Sequence, residues 1–285
     1  MALTSRDAAG GSYNQDVLEG FGQEWCRFDQ QTMSDSEAID LFDRYFAIFP
    51  WSRLPPNAIG FDAGCGSGRW ARFVAPRVGT LHCIDASEGA LRVAAQNLSS
   101  CKNCAFHLTT VDNMPMEEGA MDFGYSLGVL HHIPDTRSAL RACVGKLKPG
   151  APFLLYLYYA FDNRPAWFRR VWRISEAFRR LVSRCPFRVK CIVCDACAVS
   201  LYWPLARIAS VLEKLGITID NFPLSSYRHR SFYVMRTDAL DRFGTRLEKR
   251  FTRQEIRQMM EDAGLSEIRF REEMPFWVAV AVRAY

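Results

Sequence analysis

The chain has 285 residues, 49% hydrophobic and 24% charged. That balance excludes wholesale disorder and leaves room for two domains, or for one α/β domain with a large insertion. The apolar stretches 153–161 and 276–282 fall far short of the roughly 20 residues of a membrane helix, and the small, polar first dozen residues lack a signal core, so a cytoplasmic address is expected. The net charge of +5 is concentrated in one segment. Residues 161–190 hold nine cations against Asp162 and Glu176, a net of +7, so the rest of the chain carries −2.

Residues 1–12 read as a loose N-terminus. From 13 to 50, Phe21, Trp25, Phe28, Ile39, Phe42, Tyr45, Phe46 and Phe49 recur at spacings of three and four, which predicts helices with an aromatic face. Ser34, Asp35 and Glu37 suit the start of the second helix, and Pro55-Pro56 ends the pattern. Strands are then expected at 58–62, 80–85, 105–111, 121–127 and 152–159, with helices at 68–75, 88–97 and 136–147. This alternation predicts a parallel sheet covered on both faces. It stops near Phe161, and residues 161–250 are aromatic, basic and helical in pattern. A helix at 252–263 closed by Gly264, and strands at 267–271 and 276–282 around Met274-Pro275, end the chain.

The sharpest signal is Asp62-Ala-Gly64-Cys-Gly66-Ser-Gly68-Arg-Trp70, between the first strand and the first helix of the alternation. Closely spaced glycines let a ligand approach the main chain at the nucleotide position of a doubly wound sheet. Asp85 ends the next strand, where a carboxylate can accept hydrogen bonds from ribose hydroxyls. The spacing is G-x-G-x-G rather than the dinucleotide G-x-G-x-x-G. Asp62 would repel a pyrophosphate but would suit an ammonium group.

The segments FDAGCGSGRWA, CIDASEGAL, TTVDNMPMEEGAMDFGYSLGVLHHIPD and LKPGAPFLLYLY occur in that order over about residues 55–160. Together they resemble the class I S-adenosylmethionine-dependent methyltransferases, within them the ubiquinone/menaquinone-methyltransferase-like group. The resemblance implies a Rossmann-like, doubly wound, mostly parallel seven-stranded sheet with an antiparallel last strand and a mainly helical insertion after strand 5. The expected parts are an N-terminal helical cover (1–50), a cofactor-binding core (51–160 and 251–285) and a basic, aromatic cap over the acceptor site (161–250).

It also implies roles. Gly64, Gly66 and Gly68 would lie under the methionine part of S-adenosylmethionine, and Asp62 would position the loop and the ammonium. Asp85 would grip the ribose with Ala86 beside the adenine. Asp112 would bind the adenine amino group and the Asn113 backbone a ring nitrogen, while Ser126 and Leu127 would line the methionine end. A simple turn before Met114-Pro115 is the plain alternative for Asp112. The demethylated product would be S-adenosylhomocysteine, and no metal is required.

Methyl transfer needs an acceptor held in line and, for a hydroxyl or ammonium, a base. His131 and His132, after the fourth strand, are the candidates; packing or capping the loop before Pro134 is their structural alternative. Tyr158, Tyr227, Arg228, Arg230 and Tyr233 are candidates for the acceptor, with aromatic packing and exposed arginines as the alternative. Residues 165–184 form an amphipathic basic helix, which suits a lid, a peripheral membrane or lipid contact, or a helix docked on its own domain with its basic face in water. Cys185, Cys191, Cys194 and Cys197 read as small buried hydrophobes on a helix rather than metal ligands. Tyr13 and Trp25 are candidates for a flap over the cofactor.

The expected function is methyl transfer to a small amphipathic or acidic organic acceptor, of natural-product, lipid-quinone or sugar type, with oxygen favoured over nitrogen or carbon. A nucleic-acid methyltransferase and a cofactor-binding protein without turnover are the alternatives. The first lacks an Asn/Asp-Pro-Pro-aromatic loop and any appended nucleic-acid module. The second must explain why Asp62, the glycines, Asp85 and Asp112 are all present.

Overall fold

The computed structural model describes residues 4–5 and 15–285. Tyr13 lies outside them. The elements in chain order are β1 (Thr4–Ser5), α1 (Gln15–Arg27), α2 (Asp35–Phe46), β2 (Ile59–Ala63), α3 (Ala71–Val74), β3 (Thr80–Asp85), α4 (Glu88–Asn97), β4 (Cys104–Leu108), β5 (Phe123–Leu127), α5 (Thr136–Lys146) and β6 (Pro152–Tyr156). After these come α6 (Ala166–Val182), α7 (Phe187–Cys197), α8 (Trp203–Lys214), α9 (Phe232–Gly244), α10 (Arg253–Asp262), β7 (Leu265–Phe270) and β8 (Val278–Arg283).

The sheet order is β1-β4-β3-β2-β5-β6-β8-β7. Strands β1 to β6 pair in parallel, and β8 pairs antiparallel with both β6 and β7. The expected seven strands are present, and the two residues of β1 add an eighth at the edge beside β4. The order reverses at β2, so loops leaving β2 and β5 open a crevice at the carboxyl ends of the strands.

Local chemistry explains the pairing of the central strands. In register, Gly60 faces Phe123 and Phe61 faces Gly124. A Cβ on Gly60 would fall 2.2 Å from the Phe123 ring, and one on Gly124 2.3 Å from the Phe61 ring. Each glycine makes room for the ring on the neighbouring strand. The aromatic face predicted for α2 packs here too. Phe42 stacks on Phe46 at 4.4 Å, and Phe46 meets Tyr125 at 5.3 Å. The first helix of the alternation starts three residues later than expected, at Ala71, because Gly64, Gly66 and Gly68 hold left-handed backbone angles that a helix does not use.

The chain divides into two compact units. Unit 1 comprises Met1–Gln30, Ile39–Ala160 and Leu247–Tyr285; unit 2 comprises Gln31–Ala38 and Phe161–Arg246. Within unit 2, a 28-residue helical run covers Phe187–Lys214, long and apolar enough to cross a membrane by length and composition. In the sequence, Lys190, Asp195 and Arg207 divide this helix into short apolar stretches. Cys191, Cys194, Cys197, Tyr202 and Ala206 form its buried side. Lys190 is satisfied by the Gly244 carbonyl, and Asp195 by Arg236 through two contacts of 2.8 and 3.0 Å. The run widens to a π-turn at Ala198–Tyr202, just before Pro204, whose missing N–H removes one helical bond. Among the described residues no group of three or more His, Cys, Asp or Glu could hold a metal ion.

Candidate cofactor and acceptor site

The site begins with the turn after β2. Gly64, Gly66 and Gly68 have φ of +83°, +54° and +76°. Both the Gly64 and Cys65 N–H groups donate to the Ile84 carbonyl, at 2.8 and 2.9 Å, which pins the loop to β3. Asp85 completes the pinning. One carboxylate oxygen accepts the Gly66 N–H at 2.9 Å and the other the Ser87 N–H at 2.8 Å. Burial raises its pKa, and these backbone bonds work against the rise. Space is equally restricted: a Cβ on Gly64 would lie 2.4 Å from Val129, and one on Gly66 3.0 Å from the Trp25 indole. The Trp25 ring therefore lies beside the loop.

Asp62 is 1% exposed, and neither carboxylate oxygen has a hydrogen-bond partner among the described residues. Burial holds its pKa well above the ordinary carboxylate range. The nearby Tyr125 hydroxyl draws it down without closing a good hydrogen bond, and the charge of Asp85 adds to the rise. An orphaned buried carboxylate beside a glycine loop fits a ligand that brings a cation. Arg69, unassigned by sequence reasoning, sits at the end of the loop. Its guanidinium lies 4.5 Å from the Trp70 ring and 6.0 Å from Trp25, and its buried Nε has no hydrogen-bond partner among the described residues.

The other predicted cofactor residues differ in availability. Ala86 is half-buried, and Asp112 and Asn113 are exposed on a short 3-10 turn after β4, but the Asn113 backbone expected to read the adenine is engaged: its N–H donates to the Thr110 carbonyl at 3.1 Å and its carbonyl accepts from the Thr109 hydroxyl at 3.2 Å. Leu127 is buried at the end of β5. Ser126 is buried with its hydroxyl donating to the Ala63 carbonyl at 2.8 Å, so that group ties β5 to β2 instead of lining a pocket.

His131 and His132 lie on a 3-10 turn after β5. His132 Nδ1 is 2.6 Å from the Leu247 carbonyl, and its ring meets Phe21 at 4.9 Å. His131 is wholly buried, yet neither ring nitrogen has a partner among the described residues. Its ring lies 3.9 Å from that of Tyr158. Burial, then the neighbouring His132 and Arg250, push its pKa well below the usual histidine value, so it is uncharged at neutral pH.

Arg250 and Glu248 were missed by sequence reasoning, which counted them in the insertion. The chain returns to unit 1 at Leu247. The Phe251 N–H then donates to the Tyr158 carbonyl at 2.9 Å, and the Lys249 N–H to the His131 carbonyl at 3.1 Å. Arg250 pairs with Glu248 at 2.8 Å and lies 5.0 Å over the Tyr158 ring.

The remaining acceptor candidates, Tyr227, Arg228, Arg230 and Tyr233, are in unit 2. Tyr227 donates to Asp238 at 2.8 Å and Arg228 pairs with Glu213 at 2.8 Å, so both groups are engaged internally. Arg230 and Tyr233 are half-buried.

Residues 61–155 match the family model described as a methyltransferase domain. A ubiquinone biosynthesis O-methyltransferase of Marinobacter nauticus is 36% identical over 93 residues, which is 31% of this chain and 39% of that protein. Phosphoethanolamine N-methyltransferase 2 of Caenorhabditis elegans is 31% identical over 106 residues, 36% of this chain and 24% of that protein. The fold is similar to that of an S-adenosylmethionine-dependent methyltransferase from Methanosarcina mazei, with a TM-score of 0.50 at 17% identity over 83% of this chain and 98% of that one. The chain spans about half or less of the length of the curated relatives it matches. The domain match, the glycine loop and the sheet order agree: residues 61–155, about a third of the chain, resemble a methyltransferase domain.

Proposed function

We propose that this protein transfers the methyl group of S-adenosylmethionine to a hydroxyl of a small, flat organic acceptor, with His131 taking up the hydroxyl proton. The observation that carries this reading is His131 itself: buried, uncharged, without a hydrogen-bond partner at either nitrogen among the described residues, and with its ring 3.9 Å from that of Tyr158. The ring faces of Phe21, His132 and Tyr158 around it suit a planar acceptor. The name of the Marinobacter nauticus relative supports oxygen as the alkylated atom. The insertion, 161–246, is assigned a part in selecting the acceptor on the strength of its basic, aromatic composition.

The cofactor supplies an electrophilic methyl on a sulfonium that leaves as a neutral thioether. Asp62 would hold its ammonium and Arg69 its carboxylate. Asp85 would accept from the ribose hydroxyls through the lone pairs its two backbone bonds leave over. Ala86 and Asp112 would frame the adenine. His131 would take up the acceptor's hydroxyl proton as that oxygen is alkylated. Arg250 disfavours the protonated imidazole, which helps the proton leave after turnover.

A labelled-methyl assay against phenols, catechols and quinols tests this. With His131→Gln, kcat should fall about 10²–10⁴-fold while cofactor Kd stays within about twofold. Unchanged kcat in that variant on every accepted substrate would sink the assignment.

A further inference from the structure

Helix α6 presents three faces. Phe168, Trp172, Ser175, Glu176, Arg179 and Val182 turn inward within unit 2. Arg179, only 5% exposed, is satisfied by Glu176 at 2.5 Å, and Arg242 pairs with the same carboxylate at 3.2 Å. Next to this face runs a stripe of Trp167, Val171, Ile174, Phe178 and Leu181, exposed by 47, 52, 73, 39 and 69%. Their spacing of four, three, four and three residues keeps them in one line along a helix of about 25 Å. On the far side of the stripe stand Arg169, Arg170, Arg173, Arg180 and Arg184, all exposed. Arg170, Arg173 and Arg184 have no ion-pair partner among the described residues.

A continuous apolar stripe of this size loses free energy in water. A second copy of α6 laid against it would bring two arginine rows together, which the unpaired cations oppose. A nucleic acid would satisfy the arginines and leave the stripe in water. An anionic lipid surface satisfies both at once, with the apolar residues in the acyl boundary and the guanidinium groups at the phosphates. We infer that α6 is a docking helix by which this protein binds anionic membrane surfaces from one side. The inference stands whichever acceptor the core alkylates.

The test is flotation of the full-length protein with vesicles of phosphatidylcholine alone and with about 30% phosphatidylglycerol. Binding is expected to the anionic vesicles and to weaken as salt rises. Ile174→Ser with Leu181→Ser should weaken it about tenfold or more. Arg170→Ser, Arg173→Ser and Arg184→Ser together should weaken it about a hundredfold, about fivefold for each cation. Cofactor affinity, measured on each variant, should stay unchanged and reports that the protein is folded. No binding at millimolar lipid overturns the proposal, as does binding that survives loss of the stripe. So does a wild-type dimer that the serine variants convert to monomer, or a nucleic-acid complex that needs the same arginines while the vesicles are ignored.

Discussion

The two units treat apolar residues differently. Unit 1 encloses them: Phe61, Phe123, Phe153, Leu154 and Val278 are wholly buried along its sheet. Of the eighteen large apolar residues exposed among the described residues, fifteen lie in unit 2. A sheet covered on both faces has an interior for every strand residue, whereas a few helices have little volume in which to hide a second apolar face. In unit 1 hydrophobicity therefore reports the core. In unit 2 it reports both packing and surface, and the same letter in the sequence stands for either.

Glycines give the largest contrast. Gly64→Ala would force a Cβ against Val129 at a residue with φ of +83°. It should cost about 2–4 kcal/mol of stability and lower cofactor affinity about a hundredfold or more. Gly216→Ala, in unit 2, has a similar φ of +76° but nothing within 4 Å of the new atom. It should cost about 1–2 kcal/mol and leave cofactor affinity alone. Denaturant unfolding with calorimetry compares them, and equal effects on affinity would erase the distinction.

Asp62→Asn should act in opposite directions on two observables. Loss of the ammonium partner should weaken cofactor binding about 10–100-fold, while removal of a buried, unpartnered carboxylate should leave the cofactor-free protein as stable or more so. Because the ionised form binds the ammonium, wild-type affinity should fall as pH drops through the raised pKa of Asp62, and binding in that range should release a proton. The asparagine variant should lose both effects in calorimetry run in buffers of different ionisation enthalpy.

His131 has the reverse sign in stability. Its folded pKa lies well below the unfolded value of about 6.5, so the unfolded chain binds more protons in between. Its contribution is complete above about pH 6.5 and is lost as pH falls toward the folded value. Asp62, with a raised pKa, contributes most below about pH 3.8 and less as pH rises through its folded value. Comparing wild type with His131→Gln isolates the histidine part: the difference in unfolding free energy should change between about pH 7.5 and 5. The smallest effect belongs to the surface of unit 2, where Ile174→Ser should alter stability by no more than about 0.5 kcal/mol.

Much of unit 1 was legible because its signals are local. Thr80–Asp85 and Glu88–Asn97 fall where the alternation put them, and the Ser87 side chain caps α4. The loop residues announce themselves by spacing. The acceptor side was legible only in part. His131 and Tyr158 could be named, but Glu248 and Arg250 carry no motif and sit at the far end of an insertion. Ser126, Tyr227 and Arg228 look available in a sequence, and their hydrogen-bond partners are visible only in three dimensions.

What the sequence by itself determined about this protein is the alternation of strands and helices, the glycine loop with its two carboxylates, and the amphipathic character of α6. Each depends on neighbours within a few residues, whose backbone preferences and periodicity act before any tertiary contact forms. Only the tertiary structure decided that Asp62 has no hydrogen-bond partner among the described residues, that α6 turns Trp172 and Arg179 inward and Ile174 outward, and that His132 meets Leu247, 115 residues away. Those outcomes depend on which distant surfaces exclude water from one another, and no local pattern encodes that.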